Sequence, residues 1–343
     1  MEVKAFVSGC AGTRLSAEEA SFFGAEQPWG LILFQRNCAH PEEIRDLVAG
    51  FRHAVGRIDA PVLIDQEGGR VQRLKPPVWR AYPPCGILGA VAEQDGVAGE
   101  KASWLQGRLI AADLLDLGIT VDCAPDIDLR FAGTTSAIGN RAFGAEPELV
   151  TRLGRAYANG LMAGGVLPVI KHCPGHGRAT VDSHHSLPVV GDDLETLAAT
   201  DFVPFARLAD LPLAMTGHIV FTAIDADNPA TTSAVVIRDI IRGRISFDGL
   251  LLSDDVSMKA LSGDFAAKTR AIHAAGCDIV LYCFGVMDEM RAVAAAARPL
   301  DGVSARRARA ALDARRQPEP FDVEAGWEEF QALIERAGRP ATV

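Results

Sequence analysis

Short runs of aliphatic and β-branched residues recur along this chain, separated by longer stretches whose apolar positions return at helical spacing. Eight runs read as strands: Ala5–Ser8, Leu31–Phe34, Val62–Asp65, Ile119–Cys123, Pro168–Lys171, Leu213–Thr216, Leu250–Asp254 and Ile279–Cys283. They lie roughly 25 to 57 residues apart, room for a crossover helix with or without an extra loop. An open doubly wound sheet would give the same periodicity. The count of eight favours an α/β fold of the (β/α)8 TIM-barrel type. Between the runs, a helix over Pro41–Val55 starts on a proline with Glu42 and Glu43 near its positive end. Glu100–Leu117 stops at Gly118, and Pro147–Ala163 stops at Gly164-Gly165. A tail over about 303–337 reads as two charged amphipathic helices, split by Gln317-Pro318-Glu319-Pro320 and expected to pack outside the barrel. Prolines and glycines fall between elements along the whole length and mark no linker, so residues 1–343 read as a single domain.

Composition narrows the function classes. A formal charge of −10 and the lack of a basic, aromatic-interleaved strip argue against nucleic-acid binding. Every apolar run is interrupted well short of a membrane span, so no membrane partner is expected. The seven cysteines are odd in number and scattered, with no Cys-x-x-Cys pair, which fits small core residues in a reducing compartment. The first residues, Met1–Phe6, lack a basic region followed by an apolar stretch and a cleavage site. The expected location is the cytoplasm, and the expected state a monomer.

In a parallel barrel the loops after the strands surround the active site. Four predicted strands here end in unusual polar sequences. Val62-Leu63-Ile64 runs into Asp65-Gln66-Glu67-Gly68-Gly69-Arg70-Val71-Gln72-Arg73, and Pro168-Val169-Ile170 into Lys171-His172-Cys173-Pro174-Gly175-His176-Gly177. Leu213-Ala214-Met215 runs into Thr216-Gly217-His218, and Leu250-Leu251-Leu252 into Ser253-Asp254-Asp255. A carboxylate closing an apolar strand is costly unless paired or solvated. Each loop has a plainer reading alone: Asp65 as a turn cap, Gly68-Gly69 as a source of positive φ, one of Asp254 and Asp255 as a helix cap. Four on one rim point to chemistry. The segment from Lys171 to His185 holds His172, His176, His184 and His185 of only eight histidines. With Asp182 it is a conceivable metal site, but the spacing is not that of a helical zinc pair, and Pro174, Gly175 and Gly177 exclude a helix. The expectation is therefore no metal and no cofactor. Asp182-Ser183-His184 places a carboxylate two residues before an imidazole, able to orient the ring and stabilise its protonated form.

These residues resemble the catalytic domain of glycoside hydrolase family 3, in particular its single-domain bacterial β-N-acetylglucosaminidases of peptidoglycan recycling. The resemblance runs from about Gly30 to Gly285 through five ordered motifs. They are Gly30–Asn37, Asp65–Arg73, Ile138–Gly144, Lys171–Gly177 with Asp182-Ser183-His184, and Ser253–Met258. It implies Asp254 as the nucleophile of a retaining mechanism and His184 as general acid/base with Asp182 as its partner. It further implies Asp65, Arg73, Arg141, Lys171 and His172 as sugar-binding residues, with Asp255 in support of Asp254. The substrate it implies is a sugar or cytoplasmic muropeptide bearing a terminal N-acetyl-β-D-glucosamine. The chain departs from the family at Cys173, where an aromatic is common.

Other readings remain open on sequence: a β-glucosidase or a phosphorylase on the same barrel, a sugar sensor without catalysis, or a metal-dependent hydrolase. Two-domain family-3 β-glucosidases carry their acid/base on another domain, for which this chain is too short.

Overall fold

A computed structural model describes residues 2–183 and 186–337. All eight predicted runs are strands of one closed barrel. We number them β1 (Lys4–Ser8), β2 (Pro28–Leu33), β3 (Val62–Ile64), β4 (Val121–Asp122), β5 (Leu167–Cys173), β6 (Leu213–Thr216), β7 (Leu250–Asp255) and β8 (Ile279–Tyr282). Each strand pairs in parallel with its sequence neighbours, and β1 pairs with β8 to close the ring. The barrel, rather than the open sheet, is the fold.

The period of two along each strand sorts the apolar residues into two cores. Ala5 and Val7, Leu213 and Met215, Leu250 and Leu252, and Ile279 and Leu281 fill the barrel interior. Phe6, Ala214, Leu251 and Val280 alternate with them and meet the helices outside. Boundaries moved where backbone chemistry permits. β2 begins at Pro28, because a proline at the first strand position forfeits no ladder bond that matters there. β5 continues two residues beyond the predicted end, so His172 and Cys173 join Lys171 on the strand itself.

The helices over Pro41–Val55 and Pro147–Ala163 have the predicted bounds, and the third spans Gly96–Asp116. Periodicity did not disclose the nine-residue π-helix Val236–Arg244, whose winding departs from the 3.6-residue repeat. The tail forms two helices, Gly302–Asp313 and Val323–Ala337. The second lies against the helices Cys85–Gln94 and Gly96–Asp116, burying Phe330 and setting Trp327 edge-on to Tyr82 at 5.7 Å. The first does something the sequence pattern did not suggest. Its Ala308 and Ala311 join the interior cluster, with Val3 and Leu300 alongside, and so stopper the end of the barrel where the strands begin. Arg307 holds it there through Asp248 and the buried Asp278 at 2.9 and 3.2 Å. All seven cysteines are buried free thiols.

With this end plugged, the barrel interior faces solvent at the opposite end, where the strands finish. Replacing Ala311 with Leu should overpack the plug and cost about 1–3 kcal/mol, read as a shift in the urea midpoint without loss of the barrel's circular-dichroism signature.

Candidate active site

The first site element is a short hairpin beyond β3. Gln66–Gly68 pairs antiparallel with Val71–Gln72, and Gly68 and Gly69 make the reversal with φ of 102° and 59°. A side chain at Gly68 would also sit 2.3 Å from the Pro83 carbonyl, so glycine is required on two counts. The Gln66 amide oxygen accepts from the N–H groups of Arg73 and Leu74 at 2.8 and 3.0 Å and pins the returning chain. Arg73 thereby comes back to Asp65, with Nη2 3.0 Å from Oδ2.

Lys171, nearly buried on β5, reaches across the barrel mouth to Asp65 at 2.9 Å and to Glu67 at 2.7 Å. Glu67 in turn takes a two-pronged contact from Arg141 at 2.8 and 2.7 Å, and Arg141 approaches Asp126 at 3.5 Å. Cations and carboxylates thus alternate from Arg73 to Asp126. Burial by itself would raise the carboxyl pKa values, but the cations outweigh it. Lys171 and Arg73 hold Asp65 well below the usual carboxylate range, and Arg141 and Lys171 draw Glu67 down to about 2. Lys171 is held charged despite its burial, chiefly by Asp65 and then Glu67.

A second group comes from the loop after β4, stacked beneath the start of the β5 loop. His172 Nδ1 lies 2.7 Å from Asp128 Oδ2, and the buried Asp128 also accepts the backbone N–H groups of His172 and His176. The rings of His172 and His176 meet edge-on at 5.6 Å. Gly177 lets the two loops touch, since a Cβ there would lie 2.0 Å from the Leu129 carbonyl. Cys173, where the family commonly has an aromatic, is buried and packs into the outer core. Atoms of Asp126, Asp128 and His172 lie within 4.8 Å of one another, a spacing compatible with a metal. Asp128 already takes N–H donors on both oxygens, and the Arg141 guanidinium supplies positive charge beside Asp126.

The third group is at the end of β7. Asp255 is committed to structure: its Oδ1 accepts from the N–H of Ser257 at 3.0 Å, its Oδ2 bonds the Ser257 hydroxyl, and its carbonyl accepts from His218 Nε2 at 3.0 Å. Asp254 is half-buried and faces the pocket, its Oδ1 accepting the Asp255 N–H at 2.8 Å. Its charge acts on His172, His176 and His218.

Over its described residues the loop after β5 is non-helical, as its proline and glycines require. Arg178 ties it down through Asp201 at 2.6 Å and Asp192 at 2.7 Å, over the Phe131 ring. Beyond, Val189–Val190 pairs with Val220–Phe221. Asp182 lines the pocket; His184 and His185 lie outside the described residues.

A pocket of about 400 Å³ opens at this end, within the range of small-ligand sites. Asp65, Arg73, Arg141, Lys171, His172, Asp182 and Asp254 all line it, so every predicted site residue that is described meets in one place. Arg141 lines the pocket while its fork grips Glu67. Sequence reasoning assigned no role to Glu67, Asp126 or Asp128. The signal for the last two was the Asp-x-Asp following the fourth strand, the same strand-end logic applied to the other loops.

The sequence profile of the glycosyl hydrolase family 3 N-terminal domain matches residues 3–313. The chain belongs to this family. A β-hexosaminidase from Alkalilimnicola ehrlichii is 40% identical over 279 residues, covering 80% of this chain and 79% of that protein. One from Methylococcus capsulatus is 40% identical over 276 residues, covering 79% and 80%. Among solved structures, NagZ from Neisseria gonorrhoeae in complex with N-trifluoroacetyl-D-glucosamine superposes with a TM-score of 0.84 at 31% identity over 98% of both chains. A family 3 β-N-acetylglucosaminidase from Paenibacillus sp. str. FPU-7 gives 0.79 at 27% identity, over 99% of this chain and 62% of that one. As a member of family 3 the protein is a glycoside hydrolase, and the strand-end constellation is its candidate catalytic centre.

Two outcomes test the electrostatics. Lys171→Met leaves Asp65 and Glu67 without their shared cation and should cost about 3–5 kcal/mol in urea unfolding. Asp122, fully buried under the hairpin, is pushed up to about 8 by burial. A carboxyl raised above its unfolded value stabilises the fold at low pH, and that contribution is lost as pH rises toward 8. Asp122→Asn should therefore gain thermal stability relative to the parent between pH 5 and 9, and a constant difference across that range would refute the assignment.

Proposed function

We propose that the protein is a retaining, exo-acting β-N-acetylglucosaminidase that removes terminal non-reducing N-acetyl-β-D-glucosamine from cytoplasmic muropeptides. The observation that carries this reading is the placement of Asp254. It is a carboxylate at a strand end, oriented by a backbone N–H, in the same pocket as Asp65, Arg73, Lys171 and His172. The coarser activity, that of a β-hexosaminidase, is the one named for the relatives that cover most of this chain. The gonococcal NagZ complex holds an N-acylated glucosamine derivative, which supports the same sugar class here. The muropeptide context and the cytoplasmic location rest on the family resemblance, and the seven free thiols fit a reducing compartment. The protein acts as a monomer.

In this reading Asp65 accepts hydrogen bonds from sugar hydroxyls, while Lys171 and Arg73 donate to them. All three are already held by one another, so little ordering is left to do when sugar binds. Asp254 attacks the anomeric carbon and the bond to the leaving oxygen breaks, with a proton passing to that oxygen from His184. A water then gives a proton back to His184 and displaces Asp254. Asp182 steadies the imidazolium form, which a neighbouring carboxylate favours.

Purified protein should release the chromophore from an aryl N-acetyl-β-glucosaminide at a rate independent of added phosphate. Phosphate dependence would instead indicate a phosphorylase. Asp254→Ala should lower kcat/KM at least about 1000-fold, near 4 kcal/mol of barrier, and a fluoro-sugar inactivator should add its mass to the peptide containing Asp254. An adduct on another carboxylate would overturn the assignment.

A further inference from the structure

His172 lines the sugar pocket with one ring nitrogen already engaged. Nδ1 lies 2.7 Å from Asp128 Oδ2, which leaves Nε2 as the polar atom of the ring for a ligand. A neutral imidazole has one donor and one acceptor nitrogen, and the partner of the first decides the role of the second. We infer that Asp128 is a positioning residue that holds His172 as the Nδ1–H tautomer, so that Nε2 meets the sugar as a hydrogen-bond acceptor.

The hydrogen bonds around Asp128 carry the inference. Its Oδ1 accepts the backbone N–H of His176 at 2.6 Å and that of His172 at 3.2 Å, and Oδ2 lies 3.3 Å from the latter. Backbone N–H groups can only donate, so they favour the ionised carboxylate, which has no hydrogen of its own to give. The bond to the ring must then run from Nδ1–H to Oδ2. Protonation agrees. Burial pushes the Asp128 carboxyl up to about 6, still below neutrality, while burial and then Arg141 lower His172 to about 4. The other groups acting on the ring are Asp126, Asp254, Lys171 and His176. Asp126 accepts the Asp128 N–H at 3.0 Å; its own carboxyl is raised by burial and then by Asp128, with Arg141 acting the other way.

An acceptor Nε2 adds to the one that Asp65 supplies in this donor-rich corner of the pocket. Lys171 and Arg73 present only donors. A sugar hydroxyl that accepts from one of them still has a proton to place, and an acceptor Nε2 takes it. A donor Nε2–H would confront the hydroxyl with a second donor.

The inference rests on the sugar-binding reading of the pocket, and its test separates the two. The histidine tautomer is read directly by ¹⁵N nuclear magnetic resonance of the ligand-free protein at pH 7, with His172 assigned by loss of its signals in His172→Gln. The expected spectrum has the proton on Nδ1; a proton on Nε2 in the parent protein overturns the inference whatever the enzyme's activity. Asp128→Asn is the informative variant. The two backbone N–H groups hold its carbonyl oxygen, which turns the amide NH2 toward the ring. The ring should then switch to the Nε2–H tautomer and KM for the aryl N-acetyl-β-glucosaminide should rise about tenfold, with a smaller change in kcat. In a His172→Gln background the same substitution should add nothing further; independent, multiplying losses would show that Asp128 acts through something other than the ring. If the Asn variant does not fold, the parent spectrum alone still decides. A parent protein with the expected tautomer and no turnover would count against the enzymatic reading instead.

Discussion

The structure of the site depends on one buried cation. Lys171 projects from β5 into a mouth lined by carboxylates and is held by Asp65 and Glu67 at 2.9 and 2.7 Å. A lysine this enclosed would ordinarily lose its proton. Two carboxylates this close would ordinarily repel. Each problem is the solution to the other, and Arg73 and Arg141 extend the arrangement outward on both sides. Ion pairs of this kind add little net stability, because desolvation offsets attraction. Their consequence is geometric: three loops from different strands are locked to one another before any ligand arrives, and the pocket side chains are held in place.

That arrangement also explains the fold's asymmetry. The end of the barrel where the strands begin is sealed by alanines of Gly302–Asp313, small residues that fit a narrow opening without strain. The opposite end is filled with charge. The apolar plug lets the interior close tightly, and the charged rim keeps the other end open to polar ligands.

The fold was largely legible in sequence because parallel-barrel strands are short apolar runs with few polar interruptions, and eight of them stood out. The site was legible where polar residues followed such a run at once, as at Asp65, Lys171 and Asp254. It was less so where the partner was supplied from far along the chain. Asp128 meets His172 across 44 residues and Glu67 meets Arg141 across 74, and no local pattern signals either pairing. Ala308 and Ala311 gave no warning for a different reason: on an amphipathic helix, alanines facing a barrel interior look the same as alanines facing any neighbouring helix.

The same electrostatics bear on the choice of histidine as the proposed acid/base. Retaining hydrolysis needs an ionised nucleophile and a protonated acid at one pH, and two carboxylic acids achieve this only if their surroundings drive their pKa values apart. Beside Lys171 and Arg73, carboxyl pKa values are pushed down. These cations hold Asp65 far below the usual range even at high burial, and they would act on a carboxylic proton donor in the same direction. A carboxylic acid held by Lys171 and Arg73 as Asp65 is would stay ionised and unable to donate. An imidazole starts near neutrality, and a neighbouring carboxylate, the role proposed for Asp182, would favour its protonated form. Asp254, the proposed nucleophile, closes a barrel strand, whereas Asp182 sits on a loop that Arg178 anchors, so the two come to the pocket from different elements.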